Sequence, residues 1–274
     1  GLEAEGGLGW SAATFYGLPV GETTLQARLD RGRVQIQPLA VPISGGHLAL
    51  APLVKLAPEP AELQLPAGRV ADRIQLTPDV CRRGLKFVAP VLAEVTQADG
   101  QFSVDVEGAR FPLADPIAGE AVGAVALSAQ VRPGPIVEQL LLLVREVEHL
   151  AKGNLNPPTP RETAFMVMND ERIDFKMIDR RIYHQSLQFK VGSTEIVTRG
   201  SVGLDDESLA ILAQVKVSPQ VTLDLPIQGT LSDFQIDRRA LGRQFGKSVE
   251  GAVKGLLLDQ LDKGLERLLP PGNN

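Results

Sequence analysis

The chain has 274 residues, 43% apolar and only 4% aromatic, with 28 Lys and Arg against 33 Asp and Glu, for a net charge of −5. That is enough apolar material for a sizeable core, so the chain is not a disordered one, and the charge balance lacks the basic footprint of a general nucleic-acid binder. A single cysteine, Cys81, excludes an internal disulfide and any multi-cysteine metal site.

High Gly and Pro with few aromatics predict many short strands and turns around an aliphatic core. No stretch reaches the roughly 20 mostly apolar residues of a membrane-crossing helix. The chain opens on Gly1 with neither Met nor a signal peptide, as expected of an excised or mature piece whose anchor, if it has one, lies outside it. Gly6-Gly7-Leu8-Gly9 has the glycines of a phosphate loop but no Lys-Ser/Thr after them, and reads as a flexible terminus.

Leu25, Ala27 and Leu29 alternate with polar residues, as do Val34 and Ile36 after the turn at Arg31-Gly32, so residues 25–37 form a two-faced hairpin. Pro38 and Pro42 make residues 39–43 an edge or a bend. Ser44-Gly45-Gly46 turns the chain into residues 47–54, and a Pro-rich crossing follows at Pro58, Pro60 and Pro66. Thr77 as N-cap, Pro78 at the first helical position and Val80, Leu85, Val88, Leu92 and Val95 predict a helix over 77–96, kinked or split at Pro90. Strands beginning at Phe102 and over 121–131 precede a second helix over 136–152, with Gly153 as its C-terminal glycine. The stretch 154–160 is the best linker, dividing a β-rich half with two helices (1–153) from a meander with a terminal helix (161–274), unless the two form one continuous domain.

The second half is more regular. Residues 165–168, 173–178, 183–191, 195–204, 208–217 and 221–227 read as strands. Their links, such as Asn169-Asp170-Glu171 and Asp205-Asp206-Glu207, are too short for crossover helices, so the strands are mostly antiparallel neighbours with one apolar face. A long helix over 238–269 closes the chain, with a leucine-rich stripe and Gly pairs at 242/246 and 251/255. The fold class is therefore α+β and mostly β: a curved antiparallel meander with about three helices, including a long C-terminal one.

Polar clusters offer little chemistry. His47, His149 and His184 share no ligand spacing and read as structural or solvated. Cys81 lies beside Arg82 and Arg83 without a histidine nearby, and reads as a buried or inert thiol rather than a nucleophile. The acidic run at 205–207 lacks the spaced ligands of a calcium loop and reads as an exposed hairpin tip. No acid/base pair or activated nucleophile stands out, so the expectation is no catalytic residue, no metal, no cofactor and no enzyme.

The apolar sheet face needs a cover. Either the helices fill it, or it stays open as a groove whose aliphatic lining suits acyl chains, at about 0.8 kcal/mol for each CH₂ buried. In the open case Leu187, Phe189, Val191, Ile211, Val215, Leu223 and Leu225 line the site. Arg238, Arg239, Arg243 and Lys247, at the start of the last helix, could meet anionic head groups or a partner; a solvated helix face is the alternative.

Two segments carry a resemblance. Residues 29–50 (LDRGRVQIQPLAVPISGGHLAL) resemble the AsmA-like family of envelope proteins in their strand, Gly turn, Pro-Leu and Gly-Gly turn. Residues 195–233 resemble the same family's C-terminal region, ending in the Pro-Ile-x-Gly-Thr-Leu-x-Asp element at Pro226 to Asp233 before a Gly-, Lys- and Leu-rich helix. The resemblance implies a long β-groove with an apolar interior that binds lipid. It also implies a part in phospholipid movement or outer-membrane assembly, a place in the periplasm or envelope of a Gram-negative-type bacterium, and a membrane or envelope protein as partner. It brings no catalytic residues. The other reading is a structural or assembly scaffold with a filled core, acting through protein–protein contacts at a sheet edge or at the last helix.

Overall fold

A computed structural model describes residues 3–15, 18–151, 165–218 and 221–237. They form one open, curled sheet of 18 strands, every pairing antiparallel.

The first ten strands are five long ones, each broken in the middle. They are β1 (Glu3–Trp10) with β2 (Ala13–Phe15), β3 (Leu18–Val20) with β4 (Thr23–Asp30), β5 (Arg33–Ile36) with β6 (Leu39–Ile43), β7 (Gly46–Leu50) with β8 (Leu53–Lys55), and β9 (Glu62–Leu65) with β10 (Gly68–Gln75). Their register shows the continuity: Trp10↔Thr23 and Ala13↔Val20 belong to one ladder interrupted at residues 11–12 and 21–22. The hairpin turns at Arg31-Gly32 and Ser44-Gly45 hold positive φ at both residues (46° and 78°; 42° and 78°), the geometry that matches strand twist.

Proline places the breaks. Pro38, Pro52 and Pro66 lack the N–H that an unbroken ladder would demand. Registers set these breaks beside one another, and the Pro66-Ala67 break lies opposite a register shift between Val106 and Gly108. The result is a crease across four neighbouring strands. Residues 39–43 are not an edge, because β6 pairs with both β3 and β7. Pro42 is tolerated because it faces the break after β3, where Gly21 donates to its carbonyl (2.8 Å) and no donor is needed in return. Residues 6–9 are strand rather than a flexible terminus, since β1 pairs with β4 from Glu3↔Asp30 to Trp10↔Thr23.

The remaining strands are longer and follow chain order: β11 (Ala98–Pro112), β12 (Glu120–Val131), β13 (Met166–Ile178), β14 (Arg181–Val191), β15 (Thr194–Gly203), β16 (Ser208–Ser218), β17 (Val221–Thr230) and β18 (Phe234–Ile236). β9 and β10 share one edge of β11, and β12 takes the other. β12 and β13 pair from Ala121↔Met177 to Val131↔Met166, so the ladder runs on past the segment read as a linker, which lies outside the described residues. Asn169-Asp170-Glu171 is a bulge within β13 rather than a link between two strands. Asp170 has φ 51°, its N–H donates to Ser128 Oγ (3.3 Å), and the Ser128 hydroxyl donates back to its carboxylate.

Two α-helices are described, not three: α1 (Pro78–Arg83) and α2 (Pro135–Ala151). The helix expected over 77–96 stops after six residues. Thr77 caps its start, accepting from the Val80 N–H (3.3 Å), but Gly84 ends it. Pro90 then keeps Ala89 out of helical backbone, and only two 3₁₀ turns follow, Leu85–Phe87 and Pro90–Leu92. α2 matches its expected span. The long helix expected over 238–269 lies outside the described residues.

Candidate functional site

Alternation decides which residues face inward. Register across the sheet puts Leu8, Leu25, Ala27, Leu29, Val34, Val54, Leu63 and Phe111 on the same face as Val125, Leu127, Leu187, Phe189, Ile211 and Leu225. That face is apolar along its whole width. Its two halves are treated differently.

In the second half the face is covered. Two long connections, 76–97 between β10 and β11 and the α2 segment between β12 and β13, turn onto it. Val80, Cys81, Leu85, Val91, Leu92 and Val95 of the first join Ile136, Val137, Leu140, Leu141, Leu143 and Val144 of α2 in one hydrophobic cluster with the strands. All seven residues expected to line a groove lie in it: Leu187 (0% exposed), Phe189 (1%), Val191 (5%), Ile211 (6%), Val215 (0%), Leu223 (3%) and Leu225 (0%). The fold brings these seven residues together in that cluster, each buried beside side chains of the two connections. Arg238, Arg239, Arg243 and Lys247 lie outside the described residues.

In the first half the same face is only half covered. Leu25, Ala27, Leu29, Val34, Ile36, Val54, Leu63 and Leu65 are half-buried, and Leu8 on β1 is 64% exposed. A smaller cluster of Ala109, Ala121 and Met177, with Leu65, Phe111, Phe175, Ile182 and Leu204 against it, carries the apolar strip from β9 across to β15. Trp10 packs at the border with the main core, and its indole N–H is enclosed with no partner among the described residues. Two hollows adjoin at the crease, one of about 250 Å³ and one of about 420 Å³, sharing Ala51, Leu65, Pro66 and Ala67. Pro38, Leu39, Leu50 and the charged Arg69 are among the rest of the smaller one's lining, whereas the larger one takes in Gln64, Arg110 and Glu120, which the register places on the opposite, outer face. Sequence reading found the strands over 25–37 and 47–54, took β1 for a flexible terminus and β9 for a Pro-rich crossing, and missed the uncovered strip. The available signal was the connections: no link among β1 to β8 is longer than two residues, too short to fold back as a cover.

Polar groups on the inner face are few. His184 is 2% exposed and stands opposite Phe175 and Gly200. Its Nε2 lies 3.4 Å from Thr198 Oγ1, its Nδ1 has no partner among the described residues, and burial pushes its pKa down to about 4. It is a neutral core histidine at physiological pH. Cys81 is fully buried, and desolvation pushes its thiol up to about 12, against the opposing pull of Arg82, so no thiolate is at hand near neutrality. His47 is exposed on the outer face of β7, and the side chain of His149 is outside the described ones.

The acidic tip at 205–207 is paired rather than open to a cation. Asp206 Oδ1 accepts the Ser208 N–H (2.9 Å), Glu207 meets Lys86 Nζ (2.5 Å) and Asp205 meets Arg180 (3.6 Å). The Ser208 N–H holds the Asp206 carboxyl below its ordinary range. On the outer face Arg69 bridges Asp105 and Asp72, and its guanidinium lowers the Asp105 pKa. Among the described residues no three His, Cys, Asp or Glu side chains gather as metal ligands, and no helix is long and apolar enough to cross a membrane.

Comparison of the chain with family models, curated proteins and solved structures finds no match.

Proposed function

We propose that this chain is a non-enzymatic module that takes a long apolar ligand, such as the acyl chain of a lipid, along the uncovered inner face of its first half. One observation carries the reading. An apolar face continuous with the core is left half-exposed over β4, β5, β8 and β9, up to the crease that Pro38, Pro52 and Pro66 set across the strands. An aliphatic strip without charged groups favours methylene chains, because the driving force is non-directional burial. A contiguous exposed apolar surface of this kind marks a binding face more often than an idle one. The motif-level resemblance to AsmA-like envelope proteins supports the same class of ligand, a place in the cell envelope and a part in lipid transport or outer-membrane assembly.

Native mass spectrometry of the purified chain and uptake of a fluorescent fatty acid test the proposal. We expect co-purifying lipid or saturable uptake, lost in Leu63→Asp with the far-ultraviolet CD of the sheet retained. A lipid-free chain that takes up no fatty acid overturns it.

A scaffold reading has its own support. Among the described residues β1 is an edge strand paired with β4, and Glu3 to Gly9 are all exposed along it. Such an edge is a template for strand addition by a partner. If the fatty acid is refused and a partner is held at β1, the scaffold reading prevails.

A further inference from the structure

The two sets of long connections raise the question of how permanently the second half is filled. Residues 76–97 are inserted between two strands that pair directly, from Gln75↔Gln101 to Gly68↔Val106, so the ladder closes beneath the insertion without its help. Its backbone hydrogen bonds are rooted at the two ends, where Leu76 donates to Gly100 (2.9 Å) and Arg132 donates to Gln97 (3.0 Å). Between these roots the backbone bonds are internal, such as Cys81 to Thr77 (3.0 Å), Gly84 to Val80 (2.9 Å), Ala89 to Leu85 (2.7 Å) and Ala93 to Pro90 (3.0 Å). Among the described residues none crosses to the sheet. The fastenings are apolar burial and one polar clasp, Lys86 Nζ to Glu207 Oε1 (2.5 Å), with the ammonium also 5.0 Å from the Phe87 ring centre. An element held in this way can leave as a body without breaking any rung of the sheet.

We propose that residues 76–97 form a displaceable plug, occupying in the closed state the apolar trough of the second half that an acyl chain fills when the plug swings out on its roots. Val80, Leu85, Leu92 and Val95 of the plug lie in one buried cluster with the inward residues of the strands, and the first 3₁₀ turn of the plug lies against β15. Its short helix and two 3₁₀ turns follow the curved face in pieces, as one continuous helix would not. Opening extends the strip of the first half toward β15, against which the plug's first 3₁₀ turn lies, so the inference rests on the apolar-ligand reading above.

Cys81, fully buried in the plug and the chain's one cysteine, reports the opening directly. Labelling of Cys81 by a disulfide reagent is followed in the intact chain at rising urea, beside the unfolding of the sheet by CD. We expect the free energy of exposure to fall with urea at well under half the slope of global unfolding, since only the plug's surface is uncovered. Glu207→Gln should raise the labelling rate about threefold, the worth of one partly exposed ion pair. Sub-micellar oleate should raise it about tenfold with the sheet intact. A urea slope equal to that of global unfolding overturns the plug. Oleate uptake that leaves Cys81 labelling unchanged overturns the plug alone and leaves the first-half site standing. A chain that takes up no oleate overturns the apolar-ligand reading and the plug's role with it.

Discussion

The two halves of the sheet carry the same alternation and the same aliphatic residues, yet Leu225 on β17 is wholly buried while Leu29 on β4 is only half-buried. Strand chemistry does not make the difference. Period-two patterning assigns a side chain to a face and says nothing of what lies over that face. Cover comes from the connections. The second half receives residues 76–97 and α2, each long enough to turn back across the strands; β1 to β8 are joined by turns that are not. In such a meander the length of a link, more than the composition of a strand, separates core from surface.

A charge placed on each half breaks or upholds this comparison most sharply. Leu225→Asp puts a carboxylate into a fully buried site within the apolar cluster, at a cost of about 4 kcal/mol or more. We expect a chain that is unfolded, or whose Tm falls by at least about 10 °C by CD. Leu25→Asp, at the corresponding inward position of β4, should fold normally, because water reaches the new charge. Equal tolerance at the two positions would show that the second half is not filled.

Much of this was legible in the sequence, and the failures share a cause. The inward positions of β14, β16 and β17 were readable because their apolar residues alternate cleanly and the links between strands are short. β13 read as two strands because Asn169-Asp170-Glu171 has the residues of a turn. A bulge has the same local chemistry, and only pairing with Ser128 tells the two apart. The helix over 77–96 was overestimated since its apolar spacing fits burial on one side whether the backbone is helical or merely winds over a sheet. Gly84 and Pro90 were the signals for the second case. The uncovered strip on the first half was missed because the candidate lining was placed on the second-half strands, where alternation is cleanest, when the deciding fact among the described residues is which strands have a link long enough to cover them.

Acid sharpens the contrast through the second half alone. His184 is held neutral by burial, with its pKa pushed down to about 4 from an ordinary 6.5. Between those values the unfolded chain binds a proton that the folded chain refuses, so stability is complete above about pH 6.5 and declines as pH falls toward 4. The full loss is about 3 kcal/mol by linkage. His184→Leu removes the refused proton and should flatten this part of the stability–pH curve, measured by urea unfolding at steps between pH 4 and 7. Carboxylates titrating in the same range affect both chains and cancel in the difference. Unchanged curvature in the variant would mean that His184 reaches solvent.

The smallest expected effect on stability is the most informative for function. Leu29→Ser changes a half-buried side chain on the uncovered strip, where the wild-type leucine has given up only part of its hydration. The loss of stability should stay within about 1 kcal/mol, well short of the 2–5 kcal/mol of a leucine truncated in a close-packed core. If the strip is a ligand face, the same change removes several methylene contacts from the bound state and should weaken fatty-acid uptake about fivefold, since each buried CH₂ contributes about 0.8 kcal/mol and the serine forfeits only part of that from a surface already partly wet. Stability and uptake are then uncoupled at this position. In the filled half they would fall together, because a residue beneath the plug serves packing first and meets a ligand only after the plug has moved. A Leu29→Ser chain that loses stability as a core variant does, with uptake unaltered, would reverse the assignment of the two halves.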